Sequence, residues 1–173
     1  MPTASSADLV VEAARRGDRA AFGRVFEQFA PMVHGILLAR LSSEDADDLL
    51  QDVFLHALER LETLRSAPAV GGWLAMIARN RAVDFHRTRP TLVALPPNLS
   101  IIDPCRSEVA QVLAIVRTLP EAYREPLVLR LVEGMTGPEI AEQVGLTPAS
   151  VRVNLHRGMQ LLREKLGQED SDE

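Results

Sequence analysis

A single cysteine, Cys105, in 173 residues excludes an internal disulfide and leaves no cluster for a zinc site. Aromatic residues make up only 4% of the chain and no strict valine or isoleucine alternation appears, so the pattern argues against a sheet. No apolar run approaches the ~20 residues needed to span a bilayer, and residues 1–8 lack a basic and apolar signal sequence. A cytoplasmic chain with no direct membrane insertion is the expectation. A phosphate-cradling glycine loop is also missing, and His34, His56, His86 and His156 are scattered. Asp47, Asp48 and Asp52 cluster, but no His or Glu motif completes a coordination set, which leaves a metal-dependent hydrolase as the weakest reading. No catalytic residue, metal or cofactor is expected.

What is present points to helices. Apolar residues reach 46% and charged residues 25%, with Ala, Leu, Arg and Glu abundant. Residues 7–16 read as a short helix closed by Gly17. Asp18 can cap a second helix carrying Phe22, Val25, Phe26 and Phe29, and Pro31 suits the first turn of a third, reaching about Leu41. Ser42 and Ser43 offer caps for a long helix to roughly Leu64. A loop with Pro68, Gly71 and Gly72 then precedes a basic helix over about 73–87. Pro90, Pro96, Pro97 and Pro104 interrupt the periodicity. The apolar linker residues Leu92, Val93, Leu95, Leu99, Ile101 and Ile102 should dock rather than stay solvated. Helical signals resume over 109–118, 120–132, 138–144 and 148–166, before an acidic tail expected to be disordered. The predicted architecture is all-α: a helical domain at 1–89, a Pro-containing linker at 90–107, a second helical domain at 108–167 and a tail at 168–173.

Charge is unevenly spread. The chain carries a net −5, yet residues 71–90 hold Arg79, Arg81, Arg87 and Arg89 against the single acid Asp84. Phosphates respond to such a local field rather than to the average. On a helix, Trp73, Leu74, Ile77, Ala78 and Phe85 form an apolar stripe, and Arg81 and Asp84 sit close enough to pair. Met76, Arg79, Asn80, Val83, His86 and Arg87 fall on the opposite face. Arginines there can neutralise phosphates, and the Asn80 amide supplies the donor and acceptor that base reading needs.

Two further faces carry information. In the helix after Ser43, Asp48, Gln51, Asp52, Leu55, Glu59 and Glu62 share one side, opposite Ala46, Leu49, Leu50, Val53, Ala57 and Leu61. No Lys or Arg four residues on neutralises Asp48 or Asp52, and Leu55 stands among the acids. An acidic stripe with an apolar centre suits docking to a basic helical partner. Downstream, Ile140, Ala141, Val144, Gly145, Leu146 and Val151 have helix-turn-helix spacing. Gly145 can take the positive φ of the turn, Thr147 can cap the next helix and Pro148 can open it. Val151, Leu155, Met159, Leu162 and Leu166 would face inward, while Ala149, Arg152, Val153, His156 and Arg157 would face a major groove.

Taken in order, DDLLQDVF (47–54), GGWLAMIARNRAVDFHR (71–87) and LPEAYREPLVLRLVEGMTGPEIAEQVGLTPASVRVNLHRGMQLLREKL (119–166) resemble an extracytoplasmic-function sigma factor of bacteria. The resemblance implies transcription initiation in a complex with core RNA polymerase and promoter DNA. It assigns Asp48, Gln51 and Asp52 to a surface docking on the polymerase clamp coiled coil, and Leu55 and Glu59 join them as residues of the same helix face. Arg79, Asn80, Val83, His86 and Arg87 would open and read the minus-ten element, beside a base-capturing loop at about 65–72. Thr147, Ala149, Ser150, Arg152, Val153, His156 and Arg157 would read the minus-thirty-five element as duplex. It also implies control by an anti-sigma factor covering these faces. Asn154 stands where family members often carry a basic residue, and the linker holds Asp103 where several acids are common. The alternative is a stand-alone helix-turn-helix regulator, which leaves the acidic helix and the Asn80 tract without a role.

Overall fold

The computed structural model describes residues 6–88 and 104–169, and every regular element among them is helical. Four helices precede the linker: α1 (Ser6–Arg15), α2 (Arg19–Leu38), α3 (Ser43–Glu59) and α4 (Val70–Thr88). Four follow it: α5 (Pro104–Thr118), α6 (Glu121–Leu131), α7 (Gly137–Val144) and α8 (Pro148–Glu169). The apolar linker residues expected to dock, and the end of the acidic tail, lie outside the described residues.

Several caps form as expected. Asp18 accepts from the Ala21 N–H at 3.0 Å, and Ser42 accepts from the Asp45 N–H at 3.2 Å. Gly17 turns the chain at φ 92°. Pro31, however, does not start a third helix; it lies inside the continuous α2. Proline removes one ladder bond, but Pro31 is exposed where water can serve the freed carbonyl. On the other side of α2, buried Val25, Phe29, Met32, Val33 and Ile36 hold both halves against the core. Helix α3 stops at Glu59, short of Leu64, because a 3₁₀ turn (Leu61–Thr63) swings Leu61 and Leu64 inward. Gly71 and Gly72 belong to α4 rather than to a loop. At the other end, α5 takes in Pro104 and Cys105 from the expected linker, and α8 runs past Gly167 to Glu169, into the expected tail. A proline fits a first helical turn, and a glycine near a helix end costs only about 1 kcal/mol.

The two helical domains are not beads on a string. The C-terminal domain packs on the last turns of α2 and on the outer face of α4, and the buried apolar residues of both form one cluster. Gly35 in α2 lies so close to Leu129 of α6 that an added Cβ would stand 2.6 Å from the Leu129 Cδ2. Gly71 in α4 lies equally close to α7: a Cβ there would meet the Gln143 carbonyl oxygen at 2.5 Å. Arg117 of α5 donates to the Leu41 carbonyl at 3.0 Å and the Leu38 carbonyl at 3.4 Å, closing the C-terminus of α2. Burial alone lowers the pKa of this guanidinium from its ordinary value.

Candidate partner and nucleic-acid interfaces

The acidic face of α3 forms as the spacing predicts. Ala46, Val53 and Ala57 are buried beneath it, while Asp48, Gln51, Leu55 and Glu59 are exposed, Leu55 by 62%. Asp48 makes no ion pair among the described residues. Asp52 does find a cation, from another helix: its Oδ2 lies 3.4 Å from Arg81 Nε. Beside this face runs a groove of about 560 Å³ lined by Phe22, Phe26, Gln51, Phe54 and Leu55. The Phe26 and Phe54 rings meet edge to face with centroids 4.6 Å apart. Periodicity within α3 identified Leu55; it missed Phe26, which reaches the same groove from α2.

On α4, Leu74, Ile77 and Ala78 are buried, and Trp73 and Phe85 are partly buried against the core. The expected Arg81–Asp84 pair does not form. Arg81 turns toward α3, where its Nη2 donates to His56 Nδ1 at 3.0 Å, and Asp84 pairs with Arg87 at 3.1 Å. Arg81 is directed at partners across the helix interface, while Arg87 and Asp84 share the exposed side. Asn80, Val83 and Met76 are exposed as predicted. His86 is also exposed, with Nε2 donating to the Arg40 carbonyl at 3.2 Å. The predicted base-capturing stretch at 65–72 consists of a 3₁₀ turn (Ala67–Ala69) and the start of α4.

Arg79 departs most from the expectation of an outward, free cation. Its Nε and Nη2 donate to Glu125 Oε1 and Oε2, each at 2.8 Å. Arg40 adds an ion pair to Glu125 Oε1 at 2.6 Å and another to Glu121 at 3.0 Å. Glu125 is the one buried charged residue among those described, 7% exposed. Burial pushes its carboxyl pKa up, but Arg79 and Arg40 outweigh that and hold it below the ordinary value. The Glu125 hydrogen bond in turn raises the pKa of Arg79. A second contact joins the domains through His34, whose Nδ1 lies 2.9 Å from Glu133 Oε1 and whose Nε2 lies 3.0 Å from Asp47 Oδ1. The Glu133 bond raises the His34 pKa, against the opposing effect of burial. Sequence reasoning missed both Glu125 and His34. One available signal was the acid itself, set among Pro126, Leu127, Val128 and Leu129.

The helix-turn-helix is formed by α7 and α8. Thr136 and Glu139 close a reciprocal capping box at the start of α7, and Gly145 ends it at φ 74°. Ile140, Ala141, Val144 and Val151 are buried at the crossing. Thr147 accepts from the Ser150 N–H at 3.1 Å, and its hydroxyl lies 2.8 Å from the Ser150 hydroxyl. Ala149, Arg152, Val153, His156 and Arg157 are all exposed. Neither Arg152 nor Arg157 makes an ion pair among the described residues.

A helix-turn-helix with a free basic face, a separate polar helix around Asn80 and an acidic-apolar groove together define a two-domain helical protein of transcription initiation. The Sigma-70 region 2 family model matches residues 25–90, and the Sigma-70 region 4 model matches residues 110–162. The chain is 32% identical to the RNA polymerase sigma factor CarQ of Myxococcus xanthus, over 91% of this chain and 96% of that one. It is 31% identical to the ECF RNA polymerase sigma factor SigD of Mycobacterium tuberculosis, over 92% and 83%. Among solved structures, CnrH in complex with the cytosolic domain of CnrY superposes with a TM-score of 0.69 at 25% identity, over 98% of this chain and 100% of that one. The chain belongs to the extracytoplasmic-function (ECF) RNA polymerase sigma factors.

Proposed function

We propose that this sigma factor docks on core RNA polymerase through the α3 face and groove, reads the minus-thirty-five element through α8 and helps open the minus-ten element through α4. The observation that carries this reading is the coexistence of three separate faces on one chain. A stand-alone regulator needs only the helix-turn-helix and leaves Asp48, Leu55 and Asn80 idle. Within the scheme, Asp48, Gln51, Asp52, Leu55 and Glu59 contact polymerase, with Phe26 added from α2. Arg79, Asn80, Val83, His86 and Arg87 act on the opened strand. Thr147, Ala149, Ser150, Arg152, Val153, His156 and Arg157 meet duplex. The polymerase-binding and minus-ten functions divide from the minus-thirty-five function in the segment between α4 and α5.

The protein contributes recognition, not catalysis, and works in the cytoplasm with its polymerase; none of the described helices is long and apolar enough to cross a membrane. An anti-sigma factor is its expected regulator, in keeping with the capture of CnrH by a cytosolic domain of CnrY. Run-off transcription by core polymerase, with and without this protein, on a genomic fragment library is the decisive experiment. New discrete transcripts dependent on the protein are expected; a transcript pattern identical to that of core enzyme alone would sink the reading.

A further inference from the structure

We infer that Val153, with the Ala149 methyl one turn ahead of it, reads the C5-methyl group of a thymine in the upstream element, between two arginines that grip phosphates. This rests on the reading of α8 as the duplex-reading helix and names what that helix recognises. The rotation of α8 is fixed from behind. Val151, Gly158 and Leu162 are buried in one seam. Gly158 lies so close to α6 that an added Cβ would stand 2.9 Å from Leu127 Cδ1. At about 100° per residue, the direction opposite that seam belongs to Val153. The most outward position of the helix is therefore apolar, and Val153 is 43% exposed.

Its neighbours on the face sort by angle. Ala149, Val153 and Gln160 lie within about 40° of one another at the centre. Arg152 stands about 100° to one side of Val153, and Arg157 about 40° to the other. All five are exposed, and neither arginine makes an ion pair among the described residues. That layout matches the cross-section of a major groove, where phosphates form the walls and base edges the floor. The cations reach the walls while the centre meets the floor. Base edges there are polar donors and acceptors except at one group, the thymine methyl. A valine set against any other edge would strip water from a donor or acceptor without replacing its hydrogen bond. Among the four bases, thymine alone gives it an apolar partner.

Uracil substitution isolates this contact, because it removes the methyl group and nothing else. Duplexes selected from a randomised pool by the full-length protein, with and without core polymerase, supply the preferred element, and each thymine in it is then replaced by uracil. One such replacement should weaken binding of the parent about fourfold, the worth of one buried methyl-sized group. Val153→Ala should bind the thymine duplex about fourfold more weakly and be indifferent to the same replacement. Arg152→Ala should lose affinity for thymine and uracil duplexes alike, as a phosphate contact does. Circular dichroism of each variant checks that helical content is kept. The methyl contact is overturned by a pool with no preferred sequence, by a uracil scan that costs the parent nothing, or by a Val153→Ala variant that keeps the parent's thymine dependence. Run-off transcription decides the initiation reading separately. Coupling between Val153 and thymine without protein-dependent transcripts removes only the role in initiation and leaves the methyl contact standing.

Discussion

The α8 face presents Arg152 and Arg157 outward with no ionic partner among the described residues, whereas on the α4 face Glu125 holds Arg79 and Asp84 holds Arg87. Both are basic helical surfaces of one protein that meets DNA, yet only one is displayed ready for use. On the proposed roles, the difference follows the state of the nucleic acid that each face would meet. Duplex is always available to a preformed major-groove reader. An opened strand exists only after polymerase has engaged, so a face that serves it can remain paired until then. Basic charge in a sequence thus locates a surface without saying when it is free.

The comparison can be broken most forcefully at α8. Arg152→Ala with Arg157→Ala should weaken minus-thirty-five binding by the assembled holoenzyme by about 100-fold, and flatten its salt dependence by up to two phosphate contacts. A footprint and salt slope matching the parent would show that the free face is not the reading face. Next in size is Asp48→Lys with Asp52→Lys, which should lower affinity for core polymerase by about tenfold while leaving helical content intact. Undiminished co-purification would detach the acidic stripe from polymerase. Gly145→Val forces a branched side chain into φ 74° and should destabilise the helix-turn-helix by about 1–2 kcal/mol, lowering its melting midpoint by a few degrees.

The smallest effect is titration of His34. Its folded pKa is raised above the ordinary 6.5, chiefly by Glu133, so its stabilising contribution is complete below that value. It is lost as pH rises through the folded pKa. Because His34 and Asp47 are partly exposed, the loss should stay under about 1 kcal/mol. A stability profile from pH 6 to 8 should slope downward in the parent and flatten in His34→Gln. Glu125 has the opposite sign: its lowered pKa gives stability present above the ordinary carboxylate range and lost as pH falls through the folded value. Slopes identical in parent and His34→Gln would exclude the histidine as an interdomain contact.

Local chemistry was legible in the sequence. Gly145, Thr147 and Pro148 act within one turn of each other, so the helix-turn-helix could be placed with its caps and outward residues. Periodicity likewise sorted α3 and α4 into buried and exposed faces, down to Leu55 and Asn80. What periodicity cannot supply is the identity of the neighbour on a given face. Periodicity places Arg79 opposite the Trp73 stripe of α4, but its partner lies 46 residues away, and Glu133 lies 99 from His34. Arg81 shows the same limit, since Asp84 was the near acid and Asp52, with His56, the actual partner. Pro31 misled for another reason: proline penalises a helix interior by a fixed local cost, and the buried length of α2 exceeds it.

The seat of Arg117 on the Leu38 and Leu41 carbonyls carries a further meaning. The longest helix of the N-terminal domain is finished by a side chain borrowed from the other domain. Separating the two removes that donor from the Leu38 carbonyl at the end of α2 and from the Leu41 carbonyl, two residues before the serine that starts α3. Those carbonyls must then turn to water, and the hinge that aims the acidic helix loses a fixed point. Grafting either half onto a foreign partner would therefore transfer an unfinished module, and the repair belongs at the end of α2.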